Sequence, residues 1–234
     1  MPIVNPDRAP SVGRLFDEAA ADYDRVASLM AFGSGAWYRR RALVRSGLSS
    51  GMRVLDVAIG TGLVAREALR VVGPRGAVAG VDVSAGMLAH AAATLPIRLA
   101  QGRSELLPFR AAQFDFVSLG YALRHLDQPA AFAEMFRVLR PGGIMCILEI
   151  SAPAGPVLRH VLGLYIGRIV PLAARLMGAR AVTTDLWKYF WHTIERALPP
   201  AAVLQNLSAA GFRDTGRHLV QGIFAEYTAR KPGG

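Results

Sequence analysis

A glycine-containing loop between an apolar run and a helical run constrains the fold of this chain most strongly. Residues 54–62, Val-Leu-Asp-Val-Ala-Ile-Gly-Thr-Gly, pass from an apolar strand into a turn of small residues, and a helical segment follows. Gly60 and Gly62 let a ligand approach the backbone closely, and the helix beyond them offers unpaired N–H donors. Asp82 ends the next predicted strand, where an acid hydrogen-bonds ribose hydroxyls in such folds. The pattern predicts a ligand site at the carboxyl edge of a parallel sheet.

Short β-rich runs alternate with helical runs from residue 52 to about residue 150, which is typical of βαβ units. We predict strands at 53–58, 77–82, 97–101, 114–119 and 144–150, and helices at 63–72, 85–93 and 129–139, the last stopped by Pro141-Gly142-Gly143. Two more strands, 212–220 and 223–229, flank Gln221-Gly222 and predict a terminal antiparallel hairpin. The fold class is therefore α/β and Rossmann-like, with a seven-stranded, mostly parallel sheet.

The ends of this sheet region define the predicted domain organisation. Phe16, Ala20, Tyr23 and Ala27 lie at helical spacing, which predicts an N-terminal helical cap at 1–50. Residues 51–234 form the predicted cofactor-binding catalytic domain, with a helical insertion at about 153–198. The length is that of a single structural domain overall.

The composition excludes several classes of protein. A single cysteine, Cys146, excludes an internal disulfide, and no cysteine cluster is present to hold a metal. The N-terminus lacks the apolar core of a secretory signal. The apolar stretch 161–174 is cut by Arg168 and Pro171 and falls short of the ~18 residues of a membrane span. We expect a cytoplasmic protein without a metal or a membrane-spanning segment.

The net charge of +10 favours contact with anionic partners. All but two of the 27 basic residues are arginines, spread along the chain without a dense basic run, so nucleic acid is not an expected partner. Residues 157–179 alternate apolar residues with Arg159, Arg168 and Arg175. One interpretation is an interfacial helix that places the protein at the inner membrane face; the alternative is an amphipathic lid or a homodimer helix.

The glycine loop alone leaves two kinds of cofactor open. Residues 60–65 also satisfy the G-x-G-x-x-G/A pattern of dinucleotide enzymes. Asp56 places a negative charge beside the loop, where it would repel a pyrophosphate but attract the ammonium and sulfonium groups of S-adenosylmethionine. The sequence therefore favours S-adenosylmethionine, while a structural glycine turn without a ligand is the plainer alternative.

Five further motifs give the chain a resemblance that runs nearly end to end. They are Asp82-Val-Ser-Ala-Gly-Met-Leu88, Glu105-Leu-Leu-Pro-Phe109, Tyr121-Ala-Leu-Arg-His-Leu126, Glu134-Met-Phe-Arg-Val-Leu-Arg-Pro-Gly-Gly143 and Leu148-Glu-Ile-Ser151. With Phe16, Tyr23-Asp24 and Trp37 upstream, the chain resembles the ubiquinone/menaquinone C-methyltransferase family. The resemblance implies a class I S-adenosylmethionine-dependent methyltransferase that C-methylates a hydroxylated aromatic ring such as a demethylquinol.

The resemblance also implies roles for individual residues. The methionine half of the cofactor would be lined by Asp56, Ala58, Gly60, Thr61 and Gly62, and the ribose would be held by Asp82. Met87 would pack near the adenine, and the backbone around Arg103 and Ser104 would meet its edge, although relatives usually carry Asn or Asp in place of Arg103.

The acceptor region departs from the family pattern. Ala27-Ser28 replaces an Asn-Asp pair in the cap, Arg124-His125 replaces Arg-Asn, and the segment 187–192 is unusually aromatic. Arg124 is the first candidate to hold a phenolate or an ordered water, against a surface arginine paired with Asp127. His125 is the candidate base, against a structural histidine. Tyr23, Tyr189, Trp191 and His192 are candidates for the acceptor pocket, against core packing.

Three functions therefore stay open at the level of sequence. The first is C-methylation of a small aromatic and lipophilic acceptor. The second is N- or O-methylation of a small aromatic metabolite, for which the divergent cap and aromatic segment would be the adaptation. The third, from another class, is a scaffold that binds the cofactor without transferring its methyl group.

Overall fold

The computed structural model describes residues 16–18, 22–24, 26–27, 34–179 and 181–233, with the backbone alone at 181–185 and 188. Much of the predicted cap, including Ala20 and Ser28, lies outside the described residues. Its described part is helical at Phe16, Tyr23 and Ala27. The division into a cap at 1–50 and a catalytic domain at 51–234 stays a prediction.

The described elements alternate as the sequence predicts. The strands are β1 (Arg53–Val57), β2 (Ala77–Asp82), β3 (Arg98–Gln101), β4 (Phe114–Gly120), β5 (Leu139–Ile150), β6 (Arg213–Val220) and β7 (Phe224–Arg230). The helices with described bounds are α1 (Gly35–Arg45), α2 (Leu63–Val72), α3 (Ala85–Thr94), α4 (Gln128–Val138), α5 (Pro156–Leu164), α6 (Val170–Leu176), α7 (Ala181–Glu195) and α8 (Pro200–Ala209). A π-helical turn, Tyr165–Ile169, joins α5 to α6.

The strands form one seven-stranded sheet in the order β3-β2-β1-β4-β5-β7-β6. The first five strands are parallel to one another, and β7 pairs antiparallel with both β5 and β6. Gln221 and Gly222 both have positive φ, 53° and 71°, as the tight turn of a hairpin requires. The predicted Rossmann-like α/β class and the terminal hairpin are confirmed.

Helices cover both faces of the sheet, which explains why its central strands are apolar on both sides. Leu55 and Val117 are fully buried under α4 and α8, while Val54 and Phe116 are fully buried under α1 and α2. Burying an apolar side chain of this size contributes about 1.5–3 kcal/mol to folding. Because the first five strands are parallel, the residues that follow them meet at one edge, where the site lies.

The start of β5 differs from the prediction. The predicted helix at 129–139 is confirmed to within one residue at each end, but Pro141-Gly142-Gly143 lies inside β5, which begins at Leu139 instead of the predicted residue 144. The pairing of β4 with β5 shifts register between Phe114 and Phe116, so the Pro-Gly-Gly motif lies in a bulge within the strand. Proline and glycine are tolerated there because a bulge does not need every ladder hydrogen bond.

The helices α5, α6 and α7 form an additional layer beyond β5. The helical run Pro156–Leu176 is 21 residues long with a mean hydropathy of 1.4, so within the described residues it alone is long and apolar enough to cross a membrane by length and composition. The expectation of an interrupted, shorter stretch is wrong. Pro171 closely follows the π turn, so the interruption of regular α-helical hydrogen bonding falls there while the helical run continues.

Candidate active site

The loop that follows β1, residues 58–62, contains three residues with positive φ. Ala58, Gly60 and Gly62 all have positive φ, 52°, 57° and 89°. A Cβ on Gly60 would meet nothing within 4 Å, so this glycine leaves open space beside its backbone. Non-glycine residues such as Ala58 adopt positive φ at a cost, which is typical of functional loops.

Gly62 is not among the residues that line the cavity, and its predicted contact with the cofactor stays a prediction. Its amide donates to the Ile59 carbonyl at 3.0 Å, and a Cβ at this position would lie 2.3 Å from Cδ1 of Leu95. The glycine is required by the packing of the loop against the end of α3. It therefore shapes the loop by leaving room for the Leu95 side chain.

Two buried carboxylates flank the loop. Oδ2 of Asp82 accepts the Gly60 amide at 2.8 Å, and Oδ1 accepts the Ser84 amide at 2.9 Å, so Asp82 ties the loop after β1 to the loop after β2. Oδ1 of Asp56 accepts the Ser118 hydroxyl at 2.6 Å, while Oδ2 is buried without a hydrogen-bond partner among the described residues. An unpartnered buried carboxylate oxygen requires an explanation, and a ligand donor supplies one.

Burial dominates the protonation of both carboxyl groups. It raises the pKa of Asp56 to about 7, against the opposing effects of the Ser118 hydrogen bond and the nearby Ala65 amide, with Asp82 adding a smaller increase. Burial also raises the pKa of Asp82 above its usual range, opposed by the amides it accepts. A cation bound beside Asp56 would favour its ionised form.

A cavity of about 970 Å³ opens beside this loop and extends toward α7. Its lining includes thirteen of the fifteen predicted site residues, namely Tyr23, Asp56, Ala58, Gly60, Thr61, Asp82, Met87, Arg103, Ser104, Arg124, His125, Tyr189 and His192. The volume is at the upper end for small-molecule pockets, as expected for a site that holds two ligands together. Among the described residues, no group of three or more His, Cys, Asp or Glu side chains is placed to hold a metal.

Met87, Arg103 and Ser104 line the part of the cavity beyond Asp82. Met87 is buried in the first turn of α3, where its amide donates to the Ser84 hydroxyl at 3.0 Å. The side chain of Arg103 is 65% exposed, and its Nε lies 3.5 Å from Oε2 of Glu105, which also lines the cavity. This part of the cavity offers an apolar contact and backbone polar groups to a flat ring.

Arg124 is held rigidly at the other end of the cavity by the turn that follows β4. Its Nη1 donates to Oε1 of Glu149 at 2.6 Å and to the Tyr121 carbonyl at 2.8 Å, and its Nε donates to Oγ1 of Thr193 at 2.9 Å. The side chains of Arg124 and Glu149 are 3% and 6% exposed. The guanidinium also lies over the Phe190 ring, 4.8 Å from its centroid. The predicted alternative, pairing with Asp127, is not observed.

His125 follows Arg124 and stacks on Tyr189, with ring centroids 5.6 Å apart. Its Nδ1 lies 3.3 Å from the Tyr189 hydroxyl, and its buried Nε2 has no hydrogen-bond partner among the described residues. Burial, and then the positive charge of Arg124, lower the pKa of His125 to about 3. The imidazole is therefore neutral at physiological pH.

Aromatic side chains from the cap and from α7 enclose this end of the cavity. Tyr23 stacks on Trp187 with centroids 5.9 Å apart, and Phe16 lies 5.9 Å from Phe190. Tyr189, Phe190 and the exposed His192 contribute the α7 side of the lining. Aromatic faces of this kind accommodate a planar ring.

Trp191 does not line the cavity, so the structure gives no support to its prediction as a pocket residue. It lies on the opposite side of α7, where its ring covers Gly163 of α5 closely enough that a Cβ there would lie 2.8 Å from it. Trp191 also packs with the buried Ile166 and Ile194. Its role is to join α7 to α5.

Three cavity residues had no strong signal in the sequence. Asp17 accepts the Ser84 hydroxyl at 2.6 Å and the Gly86 amide at 2.9 Å, which fastens the cap to the start of α3. Tyr121 has a φ of 60° directly after β4 and lines the cavity. Thr193 supports Arg124 from α7. A carboxylate at a cap position gives no local indication of a partner so distant in sequence.

Solved structures share this architecture. A SAM-dependent methyltransferase from Aquifex aeolicus superposes with a TM-score of 0.64 at 18% identity, over 89% of this chain and 97% of that one. A possible histamine N-methyltransferase from Thermotoga maritima gives 0.65 at 17% identity, over 93% and 98%. The sheet order and the carboxylate-flanked glycine loop define a class I S-adenosylmethionine-dependent methyltransferase.

Sequence comparison identifies the family within this class. The model of the ubiE/COQ5 methyltransferase family matches residues 4–231. The ubiquinone/menaquinone biosynthesis C-methyltransferase of Hahella chejuensis is 34% identical over 209 residues, which are 86% of this chain and 82% of that protein. The corresponding protein of Shewanella piezotolerans is 31% identical over 233 residues, 96% and 92% of the two chains. The chain belongs to the ubiE/COQ5 methyltransferase family, and it is an enzyme that uses S-adenosylmethionine.

Proposed function

We propose that this enzyme methylates a ring carbon of a small, lipophilic hydroxylated aromatic acceptor, of which a demethylquinol is the model compound. The observation that carries the proposal is a buried arginine, Arg124, fixed beside the Phe190 ring in the same cavity that Asp56 and Asp82 line. The names of the relatives, ubiquinone/menaquinone biosynthesis C-methyltransferases, support the same acceptor class.

The cofactor end of the cavity suits S-adenosylmethionine. Asp56, Ala58, Gly60 and Thr61 would hold its methionine half, because the unpartnered Oδ2 of Asp56 can accept a hydrogen bond from the ammonium. Asp82 would hold the ribose hydroxyls, since each carboxylate oxygen that accepts an amide retains a further lone pair. The adenine would lie against Met87 and the backbone of Arg103 and Ser104. When bound, S-adenosylmethionine supplies an electrophilic methyl group.

Arg124 would stabilise the phenolate form of the acceptor. A ring carbon becomes nucleophilic when a neighbouring hydroxyl loses its proton, and a fixed cation in a water-poor cavity stabilises the resulting oxyanion without reorganising. The hydrogen bonds from Arg124 to Glu149, Tyr121 and Thr193 hold the guanidinium in place. They leave Nη2 without a hydrogen bond to the described residues.

His125 would orient the acceptor hydroxyl through its unpartnered Nε2. Its low pKa, about 3, makes it a poor base toward a phenol of pKa ~10, because full proton transfer would cost about 9 kcal/mol. The aromatic walls formed by Tyr23, Tyr189 and Phe190 would hold the ring, with His192 at the exposed rim. Positioning of this kind supplies much of the acceleration of a methyl transfer.

Labelled S-adenosylmethionine tests the acceptor class directly. We expect mass spectrometry to find the label on a ring carbon when the enzyme is incubated with short-chain demethylquinols. The control reactions contain soluble hydroxylated heteroaromatics and simple amines. Label only on oxygen or nitrogen would favour the N- or O-methylation of a small metabolite and contradict C-methylation, while leaving the cofactor assignment intact.

The raised pKa of Asp56 predicts a pH-dependent affinity for S-adenosylhomocysteine. Since the pKa of about 7 belongs to the cofactor-free protein, most Asp56 carboxyls carry a proton below that pH and must lose it to pair with an ammonium. Calorimetry should therefore show the Kd rising about tenfold per pH unit below about pH 7.

Methylthioadenosine is the matched control ligand, because it keeps the ribose that Asp82 would hold but lacks the ammonium. Its Kd should change much less over the same pH range, and Asp56→Asn should remove the difference between the two ligands. If the Kd values of both ligands change equally with pH in the unmodified enzyme, a group other than Asp56 causes the pH dependence.

A further inference from the structure

An exposed apolar face runs along the outer side of α5, the π turn and α6. It comprises Val157, Val161, Leu164, Leu172 and Leu176, whose exposed fractions range from 43% to 80%. The opposite side of the same run is buried through Ile166, Val170 and Ala174. We call the five exposed residues the outer helical face. Contiguous exposed apolar side chains of this size mark an interaction surface.

The π turn keeps this face continuous. In an uninterrupted α-helix, Leu172 would lie about 80° around the axis from Leu164, because eight residues do not complete whole turns. A π turn accommodates one additional residue, so the effective separation is close to seven residues, or about two turns. Leu172 and Leu176 therefore continue the line of Val157, Val161 and Leu164.

The charged side chains within the helical run that carries the outer helical face are all basic. Residues 152–179 contain Arg159, Arg168 and Arg175 but no Asp or Glu. Arg159 lies 3.5 Å from Glu195, whereas Arg168 and Arg175 are exposed and form no ion pair with the described residues. A symmetric contact with a second copy of this chain would bring these arginines together, whereas an anionic lipid surface would attract them.

We propose that the outer helical face docks this enzyme on the surface of an anionic phospholipid bilayer. The run lies along the interface and does not span the membrane, because its buried side packs against α7 and the cap. Apolar side chains enter the region between headgroups and acyl chains while the arginines meet phosphates. On its other side, α7 carries Tyr189, Phe190 and Thr193 on the cavity wall. Docking therefore places the cavity one helix away from the lipid.

Vesicle flotation tests this surface with the full chain. We expect the enzyme to float with vesicles that contain phosphatidylglycerol and much less with pure phosphatidylcholine. Leu172→Asp/Leu176→Asp should lower the bound fraction at least tenfold, because both side chains are exposed and leave the core intact. Arg168→Gln/Arg175→Gln should remove most of the preference for phosphatidylglycerol. The matched control is Val44→Asp/Leu219→Asp. These two apolar side chains are also exposed, at 53% and 42%, but they lie outside the outer helical face.

Three results would overturn the proposal: no flotation with either vesicle, equal loss in the control variant, or a dimer in solution that Leu172→Asp/Leu176→Asp converts to a monomer. The last would assign the face to a second copy. Binding of S-adenosylhomocysteine should be unchanged in all variants, which verifies folding. The inference does not depend on the acceptor, so its failure would leave the proposed methyl transfer untouched.

Discussion

Replacing Arg124 with Met is expected to lower kcat by about 10²–10³-fold while changing the affinity for S-adenosylhomocysteine by less than about twofold. The loss corresponds to about 2.7–4 kcal/mol of transition-state stabilisation, which is typical of a preorganised donor to an oxyanion. The cofactor affinity should stay nearly unchanged, because the proposed cofactor contacts include Asp56 and Asp82 but not Arg124.

The Arg124–Glu149 pair is nearly inaccessible to water, so a variant of Arg124 must also account for the charge of Glu149. Removing Arg124 alone leaves a buried, uncompensated carboxylate, which costs about 3–5 kcal/mol of stability. The double variant Arg124→Met/Glu149→Gln removes both charges and should restore the Tm. Glu149→Gln alone keeps the cation and should remain active. If the double variant folds and retains normal turnover, Arg124 does not stabilise the acceptor oxyanion.

Local patterns made most of the sheet predictable. β2 and α2 have the predicted bounds, Ala77–Asp82 and Leu63–Val72, because β-branched residues and helical apolar spacing indicate these elements without reference to the rest of the chain. The start of β5 was not predictable in the same way. A bulge that admits Pro141 and Gly142 depends on the pairing with β4, and only the regular part of the strand has a local pattern.

In the candidate site, strand topology predicts which residues come together, but it does not predict the direction of each side chain. Asp56, Asp82 and Arg124 follow the carboxyl ends of strands, so the topology alone brings them to one edge of the sheet. The direction of a single side chain is set by its neighbours instead. Gly62 makes room for Leu95, and Trp191 covers a helix that the sequence did not place beside it.

Among the features of the site, hydrogen bonds between residues distant in sequence are the hardest to predict from sequence patterns. Asp17 meets Ser84 and Gly86 across separations of 67 and 69 residues, and nothing in its immediate sequence marks it as a partner. The pKa of His125 likewise follows from burial and from Arg124, both of which appear only in the folded chain. These contacts changed the interpretation of His125 from a candidate base to a group that orients a hydroxyl.

Replacing Asp82 with Ala is expected to raise the Kd for S-adenosylhomocysteine at least tenfold, or about 1.4 kcal/mol or more. The carboxylate would contribute in two ways. It would accept the ribose hydroxyls, and it holds the Gly60 amide at 2.8 Å and the Ser84 amide at 2.9 Å, so its loss also releases the glycine loop from the end of β2. Leaving two buried donors unsatisfied adds to the lost ligand contact. Calorimetry with the purified variant measures the combined effect of the lost ribose contact and the released loop on the Kd.

Asp115→Ala is the matched control for Asp82→Ala. Asp115 also accepts a backbone amide, that of Arg53 at 2.8 Å, and it pairs with Arg140 at 2.7 Å, but it lies at the opposite edge of the sheet. Its removal should lower the Tm with little effect on the Kd. An unchanged Kd in Asp82→Ala, or an equal rise in Asp115→Ala, would show that the carboxylate after β2 does not hold the ribose. A rise confined to Asp82→Ala separates ligand recognition from general stability, because both variants lose a carboxylate that accepts a backbone N–H.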